Sequence, residues 1–296
     1  MKKRIFTGAA TALVTPMFDD GTVNYEALDT IIEEQIEKGI DALVICGTTG
    51  EAATLNHEDH VKVIAAAVKK ANGRVPIIAG TGSNDTAYSV ELSNEALAVG
   101  ADALLLVTPY YNKTSQAGLI AHYNYIADHV DAPIILYNVP SRTGVNILPE
   151  TYLELSKHPN IVAAKEANGD IASVIKTKAL CGDNLDIYSG NDDQIVPIMS
   201  VGGIGVISVL SNVAPTETHD MCQLYLDGDV KAAADLQIKY IDLINALFSD
   251  VNPIPVKQAL NFMGYAAGEC RLPLCEMSES GKQKLFDTMK RYGLVK

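Results

Sequence analysis

The chain alternates short apolar segments with longer segments in which apolar residues recur every three or four positions. The short segments are apolar on both faces and rich in β-branched residues, which is typical of parallel strands buried between helices. Strands are predicted at 9–15, 41–46, 75–80, 103–108, 133–138, 161–165, 185–189 and 205–209. Helices are predicted between them, including 25–38, 57–70, 85–99, 116–129 and 149–157.

Eight strand–helix units in about 225 residues favour a closed (β/α)8 barrel, the TIM barrel, in the α/β class. The alternative, an open doubly wound sheet, usually has a glycine-rich nucleotide loop after its first strand, whereas TPMF follows here at 15–18. After Gly228 the strand pattern stops, and 229–248, 254–264 and 281–292 are predicted to be helical. We therefore predict a catalytic barrel over 1–228 and a C-terminal helical region over 229–296.

Composition and charge exclude several classes of protein. Hydrophobic residues make up 48% of the 296 positions and charged residues 20%, proportions that exclude disorder as the main state. The formal net charge of −13 argues against a nucleic acid or an anionic membrane surface as partner. A small anionic substrate would need local positive groups. No apolar segment approaches the ~20 residues that span a bilayer.

Cysteine usage indicates a reducing compartment. The five cysteines are odd in number and contain no C-x-x-C pair, so neither zinc nor redox chemistry is indicated. The basic residues at 2–4 and the apolar residues after them imitate a signal peptide. That segment is interrupted by Thr7, Gly8 and Thr11, its cleavage site would fall too early, and it fits a first strand equally well. A cytoplasmic location is predicted.

Lys165 is the first candidate for chemistry, because active sites of (β/α)8 barrels lie at the C-terminal ends of the strands. It ends an apolar strand and, by the alternation of strand side chains, should share the face of Ile161 and Ala163. If that face is the barrel interior, the ammonium is partly desolvated, its pKa falls, and the amine can attack a ketone to form a Schiff base. The alternative is a solvated lysine paired with Glu166.

Two further strand ends carry polar groups, those of the strands at 133–138 and 41–46. Tyr137, two residues after Ile135, should face inward near Lys165 and could relay protons, or it could be a core tyrosine. The GTTGE loop at 47–51 offers hydroxyl and N–H donors to a carboxylate, or it is a plain turn. Arg142 could bind a substrate carboxylate through two hydrogen bonds, or it could form a surface salt bridge.

Two residue pairs have less specific patterns. Tyr110 and Tyr111 follow a strand end and suit either a pocket or a subunit contact. His57 and His60 lie one turn apart on a predicted helix and could suggest a metal, but no third ligand is evident from the sequence. No metal is expected. The chain contains neither a P-loop nor a G-x-S-x-G motif.

Together these residues resemble the pyruvate-dependent class I aldolase family that contains the N-acetylneuraminate lyases and the dihydrodipicolinate synthases. The resemblance covers nearly the whole chain, and its general marks are the GTTGE loop, Tyr137 and Lys165. More selective motifs are TPYYN at 108–112, YNVPSRTG at 137–144 and NPIPVK at 252–257. These three motifs are similar to those of the synthases.

The resemblance implies a reaction without a cofactor. Lys165 would form an imine with pyruvate, and the enamine would attack the aldehyde of L-aspartate 4-semialdehyde to give 4-hydroxy-tetrahydrodipicolinate, an early step of lysine and diaminopimelate biosynthesis. Arg142 would bind the carboxylate of the semialdehyde, and Thr49 that of pyruvate. The remaining implied site residues are Tyr137, Thr48 and Tyr111 as a proton relay, Tyr111 coming from a neighbouring subunit, and Gly190 and Ile207 as pocket lining.

The family also implies a homotetramer built from two dimers and a feedback site for L-lysine at the dimer interface. The residues offered for lysine are Ala52, Ala53, His57, His60, Asn84 and Tyr110. Tyr88 stands where lysine-sensitive members carry an acid, and a missing charged partner would weaken binding by about 1.5 to 3 kcal/mol. Lysine sensitivity therefore stays open at this stage.

Three other functions are kept as alternatives. One is an aldolase that cleaves a sugar-derived 2-keto acid, such as sialic acid or a 2-keto-3-deoxy sugar acid. Arg142 argues against it, because a polyol chain prefers neutral hydrogen-bonding groups. A second is a non-catalytic keto-acid sensor, for which Lys165, Tyr137 and Thr48 would not all be needed. The third is a metal-dependent aldolase.

Overall fold

Parallel strands closed into a barrel form the centre of the structure, a computed structural model that describes residues 2–296. Within those residues the barrel has eight strands in sequential order, so the predicted (β/α)8 fold is confirmed. The strands are Gly8–Ala12 (β1), Ala42–Ile45 (β2), Ile77–Gly80 (β3), Ala103–Val107 (β4), Ile134–Asn138 (β5), Ile161–Glu166 (β6), Asp186–Ser189 (β7) and Gly205–Ser208 (β8).

Helices surround the barrel and continue beyond it. Around the strands lie Tyr25–Glu37 (α1), His57–Ala71 (α2), Thr86–Ala98 (α3), Gln116–Asp128 (α4), Pro140–Thr143 (α5), Pro149–Leu155 (α6), Ile171–Cys181 (α7), Ile195–Ser200 (α8) and Pro215–Leu226 (α9). The C-terminal helices are Val230–Leu247 (α10), Ile254–Phe262 (α11) and Glu279–Arg291 (α12). None of the helices in residues 2–296 is both long and apolar enough to cross a membrane.

Side chains of the strands alternate between two apolar layers. On β5, Ile135 and Tyr137 belong to the barrel interior, whereas Ile134 and Leu136 pack outward against the helices. Both faces are therefore buried, which explains why the strands are continuous apolar segments in the sequence. The barrel closes where β1 pairs with β8, with Gly8 opposite Gly205.

Strand β6 departs from the predicted alternation. The register between β5 and β6 shifts between the pairs Ile134–Ile161 and Ile135–Ala163. As a result Ile161 faces the outer layer, and Ala163 faces the interior with Val162. The assignment of Ile161 to the same face as Lys165 was wrong, because a bulge adds one residue and reverses the faces before it. Ala163 does share the inward side, as predicted.

The N-terminal end of the barrel is filled by two aromatic rings. Phe6, just before β1, stacks on Tyr188 of β7 with ring centroids 4.3 Å apart. The Tyr188 hydroxyl donates a hydrogen bond of 2.8 Å to the carbonyl oxygen of Phe6. Both side chains are buried, so the barrel interior is closed at this end.

Several helices begin directly after a residue whose side chain can cap the first turn. Asn24, Asn56 and Ser115 each precede a helix and accept a hydrogen bond from the N–H three residues further on. Helix α2 then buries one stripe of residues at helical spacing: His60, Val63, Ile64, Ala67 and Ala71.

The C-terminal helices contact the barrel through polar as well as apolar groups. Gln237 of α10 donates to the carbonyl oxygen of Asp192, just after β7, and accepts from the N–H of Val196 in α8. The division between 228 and 229 falls in the turn between α9 and α10. We propose this turn as the boundary between the catalytic barrel and the C-terminal helical region.

Candidate active site

Lys165 lies at the C-terminal end of β6 with only 6% of its surface exposed. Its backbone neighbours in the sheet are Tyr137 on β5 and Tyr188 on β7. The Lys165 Nζ atom is 4.2 Å from the centroid of the Tyr137 ring. The attraction to the aromatic face holds this buried amine in one position. Few other hydrogen-bond partners then compete with a carbonyl compound for the amine.

Glu166 does not pair with Lys165, although it follows it in sequence. Its carboxylate accepts hydrogen bonds from Asn138 Nδ2 at 2.9 Å and from the Tyr152 hydroxyl at 2.9 Å. The Asn168 N–H donates a third bond. Burial raises the pKa of Glu166 to about 7, and the donors of Asn138 and Tyr152 only partly oppose this. The solvated pair considered from the sequence is therefore not what the structure contains.

Asp192 is a second buried carboxylate near Lys165. Its Oδ2 atom accepts hydrogen bonds from the N–H groups of Val209 and Leu210, at 3.0 and 2.9 Å. Burial raises the pKa of Asp192, and the positive charge of Lys165 acts in the opposite direction. A negative charge at this position stabilises a cationic state of Lys165, either the ammonium or an iminium.

Beside Tyr137 lies a cavity of about 470 Å³ at the C-terminal end of the barrel. Three of the residues predicted to act in catalysis or substrate binding line it, Thr48, Tyr137 and Arg142. Lys165 and Thr49 are buried and are not part of the lining, but Lys165 Nζ lies over the ring of Tyr137. The lining therefore offers a phenol, a hydroxyl and a guanidinium, with the amine against the phenol ring, and these are the groups that the sequence assigned to imine chemistry and carboxylate binding.

Thr49 and Arg142 share a neighbour that the sequence analysis gave no role. Asn252 Nδ2 donates to Thr49 Oγ1 at 3.0 Å, and Arg142 Nη2 donates to the Asn252 carbonyl oxygen at 3.1 Å. Asn252 therefore joins the two groups proposed for the two substrate carboxylates. The sequence contained a signal, since this residue begins the NPIPVK motif, but nothing in it showed which residues the asparagine contacts.

A buried ion pair holds the loop at 47–51, which contains Thr48 and Thr49. Lys257 of α11 and Glu51 lie 2.8 Å apart, and each side chain is only 1% exposed. Glu51 also accepts a hydrogen bond from the backbone N–H of Arg271. Glu51 adopts a positive φ of 58°, an unusual conformation for a residue with a side chain. These contacts hold the 47–51 loop to the C-terminal helices, so Glu51 has a structural role.

Gly190 and Ile207 occupy the interior close to Lys165. A Cβ atom on Gly190 would lie 3.2 Å from Lys165 Cε and 2.8 Å from Ala167 Cβ, so the absence of a side chain leaves room for the lysine. Ile207 on β8 is buried in the interior layer with Tyr137. Neither residue is part of the cavity lining.

Tyr111 is separated from the other predicted catalytic residues. Its side chain is 91% exposed, and its φ of 71° turns the loop after β4 outward. The neighbouring Tyr110 lines the cavity and is 37% exposed. A large exposed aromatic side chain held in an unusual backbone conformation is typical of a residue that acts at a contact with another molecule.

The residues suggested for lysine divide into two groups. Ala52, Ala53, His60 and Tyr110 line the same cavity as Tyr137, together with Tyr88. The ring of His60 is committed to the fold, because its Nε2 atom bonds to the Gly80 carbonyl oxygen at 2.8 Å. His57 and Asn84 lie outside the cavity lining, and Asn84 donates to the Tyr110 carbonyl oxygen.

The model of the dihydrodipicolinate synthetase family matches residues 5–292. The chain belongs to the dihydrodipicolinate synthetase family. This confirms the resemblance inferred from the motifs. Within the family, the 4-hydroxy-tetrahydrodipicolinate synthase of Lachnoclostridium phytofermentans is 55% identical over 292 residues, which are 98% of this chain and 99% of that protein.

Two solved structures of the family are informative about ligands. The chloride-inhibited dihydrodipicolinate synthase from Acinetobacter baumannii, complexed with pyruvate, is 43% identical, with a TM-score of 0.96 and coverage of 99% of this chain and 100% of that one. The synthase from Cyanidioschyzon merolae with lysine bound is 38% identical, with a TM-score of 0.96 and the same coverage.

Proposed function

We propose that this chain is a Schiff-base lyase that condenses pyruvate with L-aspartate 4-semialdehyde to give 4-hydroxy-tetrahydrodipicolinate. The observation that carries the proposal is the buried Lys165 amine, 4.2 Å from the Tyr137 ring centroid and next to the cavity that Thr48 and Arg142 line. Membership of the family and the names of its relatives support the choice of reaction. The product places the reaction in lysine and diaminopimelate biosynthesis.

The proposed chemistry begins at Lys165. The neutral amine attacks the ketone carbon of pyruvate, and loss of water gives the imine. Loss of a methyl proton gives an enamine, whose carbon bonds to the aldehyde carbon of the second substrate. The amino group of that substrate then attacks the imine carbon, closes the ring and releases the Lys165 amine. One water is lost overall, and no oxidant, reductant or cofactor is consumed.

The polar groups around the cavity have distinct proposed roles. Tyr137 and Thr48 carry protons to and from the oxygen of pyruvate and of the aldehyde, with Tyr111 of a neighbouring subunit as the third member of the relay. Thr49 holds the carboxylate of pyruvate, and Arg142 that of the semialdehyde. Gly190 and Ile207 shape the inner end of the site. The guanidinium of Arg142 favours a short dicarboxylate precursor over the polyol chain of a sugar acid.

Assembly and location are also proposed. A homotetramer built from two dimers would bring the exposed Tyr111 to a neighbouring site, as its exposure of 91% allows. The five cysteines, all free in the structure, agree with a reducing cytoplasm.

We propose weak or absent inhibition by L-lysine. Tyr88 lines the cavity with an uncharged hydroxyl in place of an acid. The initial velocity should fall by less than half at millimolar L-lysine, whereas half-inhibition in the micromolar range would contradict the proposal.

The experiment that tests the mechanism is reduction by borohydride in the presence of pyruvate. Intact mass and peptide mapping should find a pyruvate-derived adduct on Lys165, absent without borohydride. Lys165→Arg retains the charge but cannot form the imine, so it should give no adduct at 165. Folded protein without an adduct would overturn the Schiff-base mechanism and favour the sensor or the metal-dependent aldolase. Product formation with L-aspartate 4-semialdehyde, compared with a sugar-derived 2-keto acid, then tests the substrate.

A further inference from the structure

Three side chains with metal-binding atoms come together on the outer surface, between α2 and α3. His57 is the first residue of α2, and Glu91 and Glu95 lie one turn apart on the same face of α3. His57 Nε2 is 2.9 Å from Glu95 Oε2. One donor atom from each of the three residues lies within 4.8 Å of the others. The sequence pointed to His57 and His60, but the structure supplies different partners for His57.

In the part of the chain that the structure describes, the carboxylates of this cluster have no basic side chain from Lys or Arg beside them. Some other surface glutamates are paired with such side chains, for example Glu33 with Lys70 and Arg74, and Glu58 with Lys62. Within residues 2–296, the ion pair of Glu95 is with His57 alone. Two carboxylates beside a neutral imidazole carry a charge of about −2, which a divalent cation would balance.

The neighbouring Tyr88 gives His57 a defined tautomer when its Nε2 atom is a ligand. The Nδ1 atom of His57 lies 3.3 Å from the Tyr88 hydroxyl. With a cation on Nε2, the proton resides on Nδ1 and is donated to that hydroxyl oxygen. A hydrogen bond from the second ring nitrogen is the usual arrangement around metal-bound histidine.

We propose that His57, Glu91 and Glu95 bind one divalent transition-metal ion, with water completing its coordination. One nitrogen and two carboxylate oxygens form a donor set that suits Zn²⁺, Co²⁺ and Mn²⁺. Ligand atoms bound at about 2.1 Å lie about 3 to 3.5 Å from each other, so small rotations of these side chains bring them to the required spacing. The His57 and Glu95 side chains are 38% and 43% exposed, which leaves an entry path from solvent.

The bound ion would tie α2 to α3 and fix Tyr88. Because Tyr88 lines the cavity beside Tyr137 and Arg142, the ion would hold one wall of that cavity in place without entering it. The proposal concerns binding and does not depend on the reaction proposed above.

The test uses Co²⁺ as probe on the full chain, treated with a chelator and then freed of it. Titration followed by visible absorption and calorimetry should saturate at one equivalent per chain. Glu91→Gln and Glu95→Gln should each weaken binding by at least about tenfold, since even outer contacts of a metal site contribute that much. Circular dichroism checks that both variants are folded; these changes are on the surface.

His158→Ala is the matched control. His158 also pairs with a carboxylate, Asp128, at 3.1 Å, but this pair is not part of a three-ligand group in the described chain. The control should bind Co²⁺ within about twofold of the unmodified chain. Absence of saturable binding, or binding by both glutamine variants that is as tight as that of the unmodified chain, would overturn the proposal. So would strong near-ultraviolet charge-transfer bands, because these would place the ion on a thiolate such as that of Cys275.

Discussion

Gly190 leaves room for the side chain of Lys165. In Gly190→Ala the new Cβ would lie 2.8 Å from Ala167 Cβ and 3.2 Å from Lys165 Cε, so the lysine or the strand must shift. We expect imine formation with pyruvate to slow by at least about tenfold, or about 1.4 kcal/mol in the barrier. Stopped-flow or borohydride trapping at timed intervals measures this rate.

The control for Gly190→Ala is Gly281→Ala at the start of α12. Its nearest neighbour is the flexible end of Met277, at 3.2 Å. It should leave the rate of imine formation unchanged. Equal rates in both variants would show that Lys165 has more room than the structure gives it.

Glu166 makes stability depend on pH in an unusual direction for a carboxyl group. Its pKa rises from 4.5 to about 7 in the folded chain because it is buried. The folded state therefore holds the proton more tightly, and the stability from this group is complete below pH 4.5 and is lost as pH rises through about 7. The change is about 3 kcal/mol. Urea unfolding of the unmodified chain and of Glu166→Gln at several pH values measures it.

The difference in free energy of unfolding between these two proteins should fall by about 3 kcal/mol from pH 4.5 to 8. Glu58→Gln, at an exposed position, serves as control. A difference that stays constant with pH would mean that Glu166 is already charged in the folded protein at low pH.

At this scale the sequence predicted where Lys165 and Tyr137 lie better than it predicted their environment. Their positions at strand ends could be read from an apolar segment and the polar residue that ends it, because strand ends are local features. Their catalytic roles stay a prediction. The hydrogen-bond partners of Glu166 could not be identified from such local features. Asn138 reaches the carboxylate through the register of β5 and β6, and Tyr152 reaches it from helix α6.

Helix α11 is joined to the β2–α2 loop by the buried Lys257–Glu51 pair. Lys257→Met would leave a buried carboxylate without its counter-charge and should lower the free energy of unfolding by about 3 to 5 kcal/mol. Adding Glu51→Leu should recover part of this loss, because the uncompensated charge is then gone. Urea or thermal unfolding measures both variants.

The exposed pair of Lys62 and Glu58 is the control for this prediction. Lys62→Met should change stability by less than about 0.5 kcal/mol, because both side chains are largely exposed. A similar loss in Lys62→Met and Lys257→Met would contradict a special role for burial. If Lys257→Met does not fold, a folded double variant would still confirm the pairing.

Element types were predictable because hydrophobic spacing is a local property, whereas contacts between distant elements were not. The Lys257–Glu51 pair joins residues 206 positions apart. Nothing in the sequence of either segment indicates that it contacts the other. The bulge in β6 escaped prediction for a related reason: it depends on pairing with β5, and the sequence of β6 alone is a uniform apolar strand.

On the scale of the whole molecule, the exposed Tyr111 predicts sites shared between subunits. Tyr111→Phe and Lys165→Met should each be nearly inactive alone. When both chains are co-expressed with different tags and purified as a mixed oligomer, one site in each mixed dimer receives an intact Lys165 and the partner's Tyr111. Activity should rise to at most about half that of the unmodified protein.

Initial velocity of product formation measures this complementation. A mixture of the separately purified variants, without exchange of subunits, is the control and should show no gain. If the mixed oligomer is no more active than the sum of its parts, Tyr111 acts within its own chain or not at all. The sequence could suggest a contact at Tyr111, but which surface receives it depends on assembly, which no single chain specifies.

The aromatic stack of Phe6 and Tyr188 closes the N-terminal end of the barrel, so substrates reach Lys165 only from the C-terminal end. Because both reactants enter and leave at one end, they bind in a fixed order. The reactant that is to bond with the amine of Lys165 has to arrive first, because the second would otherwise stand in its way. The product leaves through the same opening, so the next reactant binds to Lys165 only after the product has dissociated. Binding order is then set by architecture, whatever the relative affinities of the two reactants.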